Sequence, residues 1–371
     1  MIYFDNAATS WPKPLKVSAA VSEALQKAGN PGRGAHSSAA WAAQKVYSVR
    51  EQVAKMFCIE DPLQIAFTLN ATHALNIAVN LCRGEIVTTS MDHNSVLRPV
   101  INRSYYNIVK ADSSGHIGAS DVIRRISDLT GAVVMTHGSN VTGEVYHIEA
   151  IGAACRKRGI FFVVDCAQTA GVIPIDVEKM HIDILCFSGH KGLLGPQGTG
   201  GIYIRKGVPI RPFMLGGTGS KSFQLAQPEE LPDCFESGTV NTHGIAGLGA
   251  GIDDICQIGM GRIHEKELAL RQYFVDKMKA LPEVIVYGPE RGTFTGTVSI
   301  NIRGMDSNRV AGILGEKDIG VRGGFHCAPL AHRSLGTDKS GAVRFSFGYG
   351  NSYREVEAAV SVIRQIVAEK H

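Results

Sequence analysis

No stretch of the 371 residues approaches the roughly 20 consecutive apolar positions that a membrane-crossing helix requires. The start, Met1-Ile2-Tyr3-Phe4-Asp5-Asn6, has neither a basic stretch nor a long apolar one, so no secretory signal is expected and a cytoplasmic setting is. Lysine and arginine never gather into a run, and the formal net charge is only +4. Neither a nucleic-acid backbone nor a membrane surface is therefore an expected partner. The eight cysteines (58, 82, 155, 166, 186, 234, 256 and 327) form no C-x-x-C pair and no framework spacing. That pattern favours reduced thiols over disulfides or structural zinc, and no metal site is expected. Seven of the eight sit in apolar or helical contexts and read as small core residues; Cys327 is the exception. Low-complexity tracts and fixed-period repeats are also missing.

The composition is that of a soluble globular enzyme, with 44% hydrophobic and 19% charged residues. Forty-two glycines, about 11% of the chain against an average near 7%, imply many tight turns and close backbone approaches. The length exceeds a single-core domain of roughly 250–300 residues, so one large and one smaller domain are expected. From about residue 62 to 205, short apolar runs alternate with helix-like segments. Ala132 to Thr136, Phe161 to Val164 and Ile184 to Phe187 are such runs, and His147 to Arg158, stopped by Gly159, has helical spacing. This alternation predicts an α/β fold with a mostly parallel sheet covered on both faces, whose ligands sit beyond the carboxyl ends of the strands. The region 216–238 reads as a long functional loop, followed by helices over 244–258 and 260–281. The rest reads as a smaller α+β domain, on which or over the site the N-terminal segment packs. The expected division is 14–255 for the large domain, with 1–13 and 256–371 forming the small one.

The most informative stretch is Ser188-Gly189-His190-Lys191, just after the apolar run Ile184-Leu185-Cys186-Phe187. Upstream, Phe161-Phe162-Val163-Val164 ends on Asp165. A lysine and an aspartate at the ends of neighbouring strands are what pyridoxal phosphate chemistry needs. The lysine forms a Schiff base, and the aspartate keeps the pyridine nitrogen protonated so that the ring accepts electrons. Phosphate requires several donors, preferably at a helix start, and Asn70-Ala71-Thr72 opens a helical pattern after a strand.

These residues resemble the fold-type I pyridoxal phosphate enzymes of aminotransferase class V, within them the cysteine desulfurase and selenocysteine lyase family. The resemblance covers essentially the whole chain, from Tyr3-Phe4-Asp5-Asn6-Ala7-Ala8-Thr9 to the loop Val321-Arg322-Gly323-Gly324-Phe325-His326-Cys327-Ala328. It implies a large domain with a mostly parallel sheet and a smaller α+β C-terminal domain. It also implies pyridoxal 5'-phosphate as cofactor, with Lys191 carrying it, Asp165 on the ring nitrogen, Gln168 and Asn140 as donors to its phenolate oxygen, and His93 stacked on the ring and moving protons. Ala71, Thr72, Ser188 and His190 are implied phosphate donors. The family pattern has two threonines where this chain has Asn70-Ala71-Thr72, so one hydroxyl is missing and the backbone carries more. Thr239 matches a threonine supplied by the partner subunit of a homodimer, with Val240 where the family often has proline. Arg344 matches the arginine that holds the substrate α-carboxylate through a bidentate fork. Arg322 and His36 are further pocket residues. Arg322 and His326 are expected to favour a Cys327 thiolate by supplying positive charge.

Cys327 decides the chemistry, because a transaminase needs the lysine but no thiol. The expected reaction converts L-cysteine to L-alanine and leaves the sulfur on Cys327 as a persulfide for a sulfur-acceptor protein. Selenocysteine lyase acting on L-selenocysteine, or transamination of a small amino acid, are the alternatives.

Overall fold

Four to seven apolar residues bounded by turns are what a strand buried on both faces looks like. In the computed structural model, which describes residues 1–32 and 34–369, six such segments and one partly exposed edge strand, Tyr106–Val109, build one sheet among the described residues. Arg33, Lys370 and His371, the last two within the expected small domain, lie outside the described residues. The strand order is Ile65–Thr68, Gly200–Ile204, Ile184–Ser188, Phe161–Asp165, Thr130–Thr136, Glu85–Thr89 and Tyr106–Val109. The last five run parallel, with Val134 opposite Val163 and Val164 opposite Leu185. Gly200–Ile204 runs antiparallel to both of its neighbours. The sheet is thus mostly parallel, as expected, with one reversed strand. The reason is local: the chain from Ser188 to Gly200 contains a turn and no helix, and without a crossover helix the next strand returns antiparallel.

Side chains alternate across each strand and feed two cores. Phe162, Val164, Leu185 and Phe187 pack on one face with Phe57 and Leu248, while Val163, Ile184 and Cys186 pack on the other with Leu75 and Ile77. The helices that cover these faces include Ala71–Leu81, Glu149–Arg158 and Thr242–Ile258. Glu149–Arg158 ends as its sequence requires, with Gly159 in the left-handed conformation at φ 66°. No helix or strand lies between Ile204 and Thr242, so the expected long loop is found.

A separate core surrounds a three-stranded antiparallel sheet of Val284–Tyr287, Thr297–Ile302 and Val343–Ser346. Helices Met260–Lys279 and Tyr353–Glu369 supply Leu270, Phe274, Val356, Val360 and Ile363 to it. Phe4, fully buried, enters the same core from the other end of the chain, its ring 4.9 Å from that of Phe347. Burial of such a side chain stabilises by roughly 1.5–3 kcal/mol. Ile2–Tyr3 also pairs in parallel with Ile319–Gly320, so the N-terminal segment packs on the smaller unit. Some later residues, Ala328, Ala331 and Leu335, belong instead to the larger core.

Two cysteines depart from the expected core role. Cys58 is exposed in a left-handed turn at φ 57°, and Cys256 is exposed on helix Thr242–Ile258, whose buried face is carried by residues such as Ile245, Leu248, Ile252 and Ile255. Apolar neighbours in sequence do not distinguish the two faces of that helix. Among the described residues, no helix is long and apolar enough to cross a membrane, and no group of three or more His, Cys, Asp or Glu could hold a metal ion.

Candidate active site

Because Phe161–Asp165 and Ile184–Ser188 are parallel neighbours, their carboxyl ends lie side by side. Asp165 lies opposite Cys186, two residues before the strand ends at Ser188, and the chain then turns through Gly189 to Lys191. The turn needs glycine there, since a Cβ on Gly189 would fall 2.2 Å from Thr199 Oγ1. The N-terminal segment clamps this turn. Ser10 Oγ donates to the Lys191 carbonyl at 2.9 Å, and the His190 carbonyl accepts from Thr9 Oγ1 at 3.0 Å, Ser10 N at 3.1 Å and Lys13 Nζ at 2.7 Å.

Above these strand ends lies a cavity of about 280 Å³. Of the expected site residues it gathers Ala71, Thr72, His93, Asn140, Asp165, Gln168, Ser188, His190, Lys191, Arg322 and Arg344. Asp165 is 4% exposed; burial raises its pKa, opposed by the Ala167 N–H at 3.0 Å and by the charge of Lys191. Lys191 keeps part of its surface open to the cavity. Burial of its amine, with Arg344 and Arg322 nearby, nevertheless lowers its pKa to about 8 against the upward pull of Asp165.

His93 caps helix Asn94–Ile101. Its Nδ1 accepts from the Ser95 N–H at 3.0 Å, so Nδ1 carries no proton, and the neutral ring carries it on Nε2. Burial first, and then the surrounding cations, lower its pKa to about 4. At the same end of the cavity, Asn70 caps helix Ala71–Leu81 by accepting from His73 N at 2.9 Å, and Ala71 N donates to Ser188 Oγ at 3.2 Å. The helix start and the Ser188 hydroxyl thus face one volume.

Arg344 is 1% exposed, which excludes a surface role. It donates from Nη1 to the Asn140 carbonyl at 3.1 Å and pairs through Nη2 with Asp5 Oδ1 at 2.7 Å. The opening motif contains Asp5 but gives it no role; only the fold brings positions 5 and 344 together. Asn140 and Gln168 line the cavity, but each already uses an amide hydrogen: Asn140 Nδ2 donates to the His326 carbonyl at 2.7 Å and Gln168 Nε2 to the Ala7 carbonyl at 3.1 Å.

Cys327 opens into an adjoining surface groove of about 630 Å³, which shares Thr72, His93 and Ser95 with the cavity and adds Asn76 and Arg98. Its backbone is held: the Cys327 carbonyl accepts from Asn94 N at 2.7 Å, and Cys327 and His326 both adopt positive φ, 55° and 50°. The expectation that His326 supplies positive charge is corrected. That ring is 3% exposed, burial lowers its pKa to about 2, and it bridges the Arg322 carbonyl and His332 as a neutral imidazole. His36 stands outside the cavity, exposed at the start of helix Ser37–Met56 with Nδ1 accepting from Ala39 N at 3.4 Å. Thr239 is likewise exposed and outside it.

Asp92 belongs to no motif, yet it is fully buried and accepts from Thr88 Oγ1 at 2.8 Å, Thr89 N and Oγ1 at 2.7 Å, and Thr136 N at 2.5 Å. It ties two strand ends together directly before His93. Its place next to that histidine is the one signal the sequence offers.

The donor set fits pyridoxal phosphate. His190 Nδ1 is buried without a hydrogen-bond partner among the described residues, beside the Ala71 helix start and Ser188. Arg344 Nε is similarly unpartnered. A lysine of lowered pKa and a buried aspartate complete the set. The family model for class-V aminotransferases matches residues 2–359. A probable cysteine desulfurase of Pyrococcus abyssi is 35% identical over 99% of this chain and 94% of its own length. The cysteine desulfurase IscS of Vibrio campbellii is 30% identical over 92% of this chain and 86% of its own. The apo structure of a cysteine desulfurase from Thermococcus onnurineus NA1 superposes with a TM-score of 0.92 at 35% identity, covering 99% of this chain and 95% of that one. With a lysine in the turn just past one strand, a buried aspartate at the end of the neighbouring strand and a family match that spans nearly its whole length, this chain belongs to the class-V aminotransferases.

Proposed function

We propose that this chain is a pyridoxal phosphate-dependent cysteine desulfurase that converts L-cysteine to L-alanine and takes the sulfur onto Cys327. The observation that carries the reading is the junction of two spaces at His93: the cavity with Lys191, Asp165 and Arg344, and the groove with Cys327. The names of the relatives across the full chain support it.

When bound, pyridoxal phosphate supplies an electrophilic carbon for amines and a protonated ring that accepts electrons from the bond to the α-hydrogen. Ala71, Thr72, Ser188 and His190 would hold its phosphate, and Asp165 its ring nitrogen. Arg344 orients the amino acid by its α-carboxylate. Lys191, with a pKa of about 8, is poised to take the α-proton as a neutral amine and return it. His93, neutral and with its proton on Nε2, holds a hydrogen for transfer where cavity and groove meet. Cys327 Sγ attacks the substrate sulfur: the S–S bond forms as the C–S bond breaks, and the carbon takes a proton to become the methyl group of alanine. The product sulfur remains as a Cys327 persulfide, for transfer to an acceptor thiol.

The active unit is read as a homodimer. Support comes from the long loop that carries Thr239, where Leu215, Phe223 and Leu225 are exposed, an apolar surface that a second copy would cover. The test of function is alanine and sulfide formation from L-cysteine with a reductant, in wild type and Cys327→Ala side by side. Loss of matched products in the variant, with the bound cofactor's absorbance retained, is expected. Equal alanine or pyruvate from both proteins would remove Cys327 from the reaction and favour a lyase or transaminase.

A further inference from the structure

Arg344 meets a carboxylate before any substrate arrives. The Asp5 to Arg344 contact at 2.7 Å is the only ion pair of that arginine among the described residues. Asp5 is no loose surface group. Its backbone bridges Ser346, its carbonyl accepts from Ala8 N at 3.0 Å and Tyr3 Oη at 3.2 Å, and Asn6 Nδ2 donates to the Ser346 carbonyl at 2.9 Å. The carboxylate is thus presented to Arg344 by a segment fixed on both sides.

A buried guanidinium gains most from its first counter-ion. An α-carboxylate arriving at Arg344 must share it with Asp5, and be repelled, or displace Asp5, and forfeit that pair. Both routes make the amino acid bind less tightly than it would to an arginine with no resident carboxylate. We propose that Asp5 is a positioning residue acting through Arg344: an internal carboxylate that holds the guanidinium between turnovers, weakens its grip on the α-carboxylate and speeds release of the amino-acid product. This inference rests on the desulfurase reading and on Arg344 as the carboxylate site.

Asp5→Asn keeps the size of the side chain and removes its charge. In the cofactor-loaded enzyme the expected result is a KM for L-cysteine about tenfold lower, a fall of similar size in the inhibition constant of L-alanine, and a lower kcat because alanine leaves more slowly. Asp5→Glu restores the charge and moves both constants back toward wild type. A purely structural role would lower kcat and leave KM unchanged or raised, and that result overturns the proposal. Arg344→Lys separates this from failure of the underlying reading. If that variant binds L-cysteine and L-alanine as wild type does, Arg344 is not the carboxylate site. If Arg344→Lys raises KM while Asp5→Asn fails to lower it, the role of Asp5 alone is lost. Should Asp5→Asn fold poorly, thermal unfolding of the cofactor-free protein in acetate decides. Acetate is expected to raise the Tm of the variant more than that of wild type, and equal shifts overturn the proposal.

Discussion

On the proposed reading of Lys191 as the cofactor-carrying lysine, capture of pyridoxal phosphate depends on how much of Lys191 is neutral. Burial, then Arg344 and Arg322, bring its pKa from 10.5 to about 8 while Asp165 pulls the other way. At pH 7 about one Lys191 in ten is then neutral, against about one in three thousand for an ordinary lysine, a ratio of roughly 300. The open side of Lys191 discounts this for solvent screening, yet even a ratio of about 30 is easily measured. The assay mixes cofactor-free protein with pyridoxal phosphate from pH 6 to 10 and follows the visible absorbance of the bound cofactor. The rate is expected to rise about tenfold per pH unit up to about pH 8 and then level. Asp165→Asn, which removes the charge that favours the ammonium form, moves the break to lower pH. A rate that climbs without a break to pH 10 would refute the argument, because it would mean that the fold leaves the amine unperturbed.

Asp92→Ala orphans the buried N–H groups of Thr89 and Thr136, each worth about 1–3 kcal/mol, so a stability loss of about 2–6 kcal/mol is expected in denaturant titration. A loss under about 1 kcal/mol would show that water replaces the carboxylate. Buried Arg50 and largely covered Glu236 form a bidentate pair at 2.9 and 3.0 Å, and Phe67 N also donates to Glu236 at 2.6 Å. Arg50→Ala strands that carboxylate and should cost about 3–5 kcal/mol. Since Glu236 anchors the loop bearing Thr239, the same variant should also weaken the homodimer proposed above on size-exclusion chromatography; an unchanged elution profile would uncouple the ion pair from that proposed assembly.

The strand ends are legible in the sequence because parallel strands read as unbroken apolar runs that stop at the candidate site, so position together with the Ser188-Gly189-His190 frame marks Asp165, Ser188 and Lys191. Helix Glu149–Arg158 is equally plain from its basic last turn and its terminal glycine. The reversed strand Gly200–Ile204 is not, since an apolar run carries no direction. The neutrality of His326 is hidden for another reason: it follows from burial against His332 and Arg322, which pattern cannot report. Asp5 and Asp92 act through partners supplied by tertiary contact, Arg344 in one case and the end of a neighbouring strand in the other. Local sequence holds no trace of either partner.

The tethering of Thr9, Ser10 and Lys13 to the His190 carbonyl, together with the pairing of Asp5 and Arg344, sets an order of assembly during synthesis. Asp5 and Arg344 are 339 positions apart. At about 5–20 residues per second, the ribosome makes the second of them roughly 17–70 s after the first. Late in that interval the strands that end at Asp165 and Ser188 are complete, while Phe4 still lacks Phe345 and Phe347, the rings it packs against. The lysine turn is then expected to gain its clamp when the opening residues dock on the finished C-terminal sheet. Nascent chains halted before Arg344 should have a folded large unit, readily cleaved N-terminal residues, and no competent site.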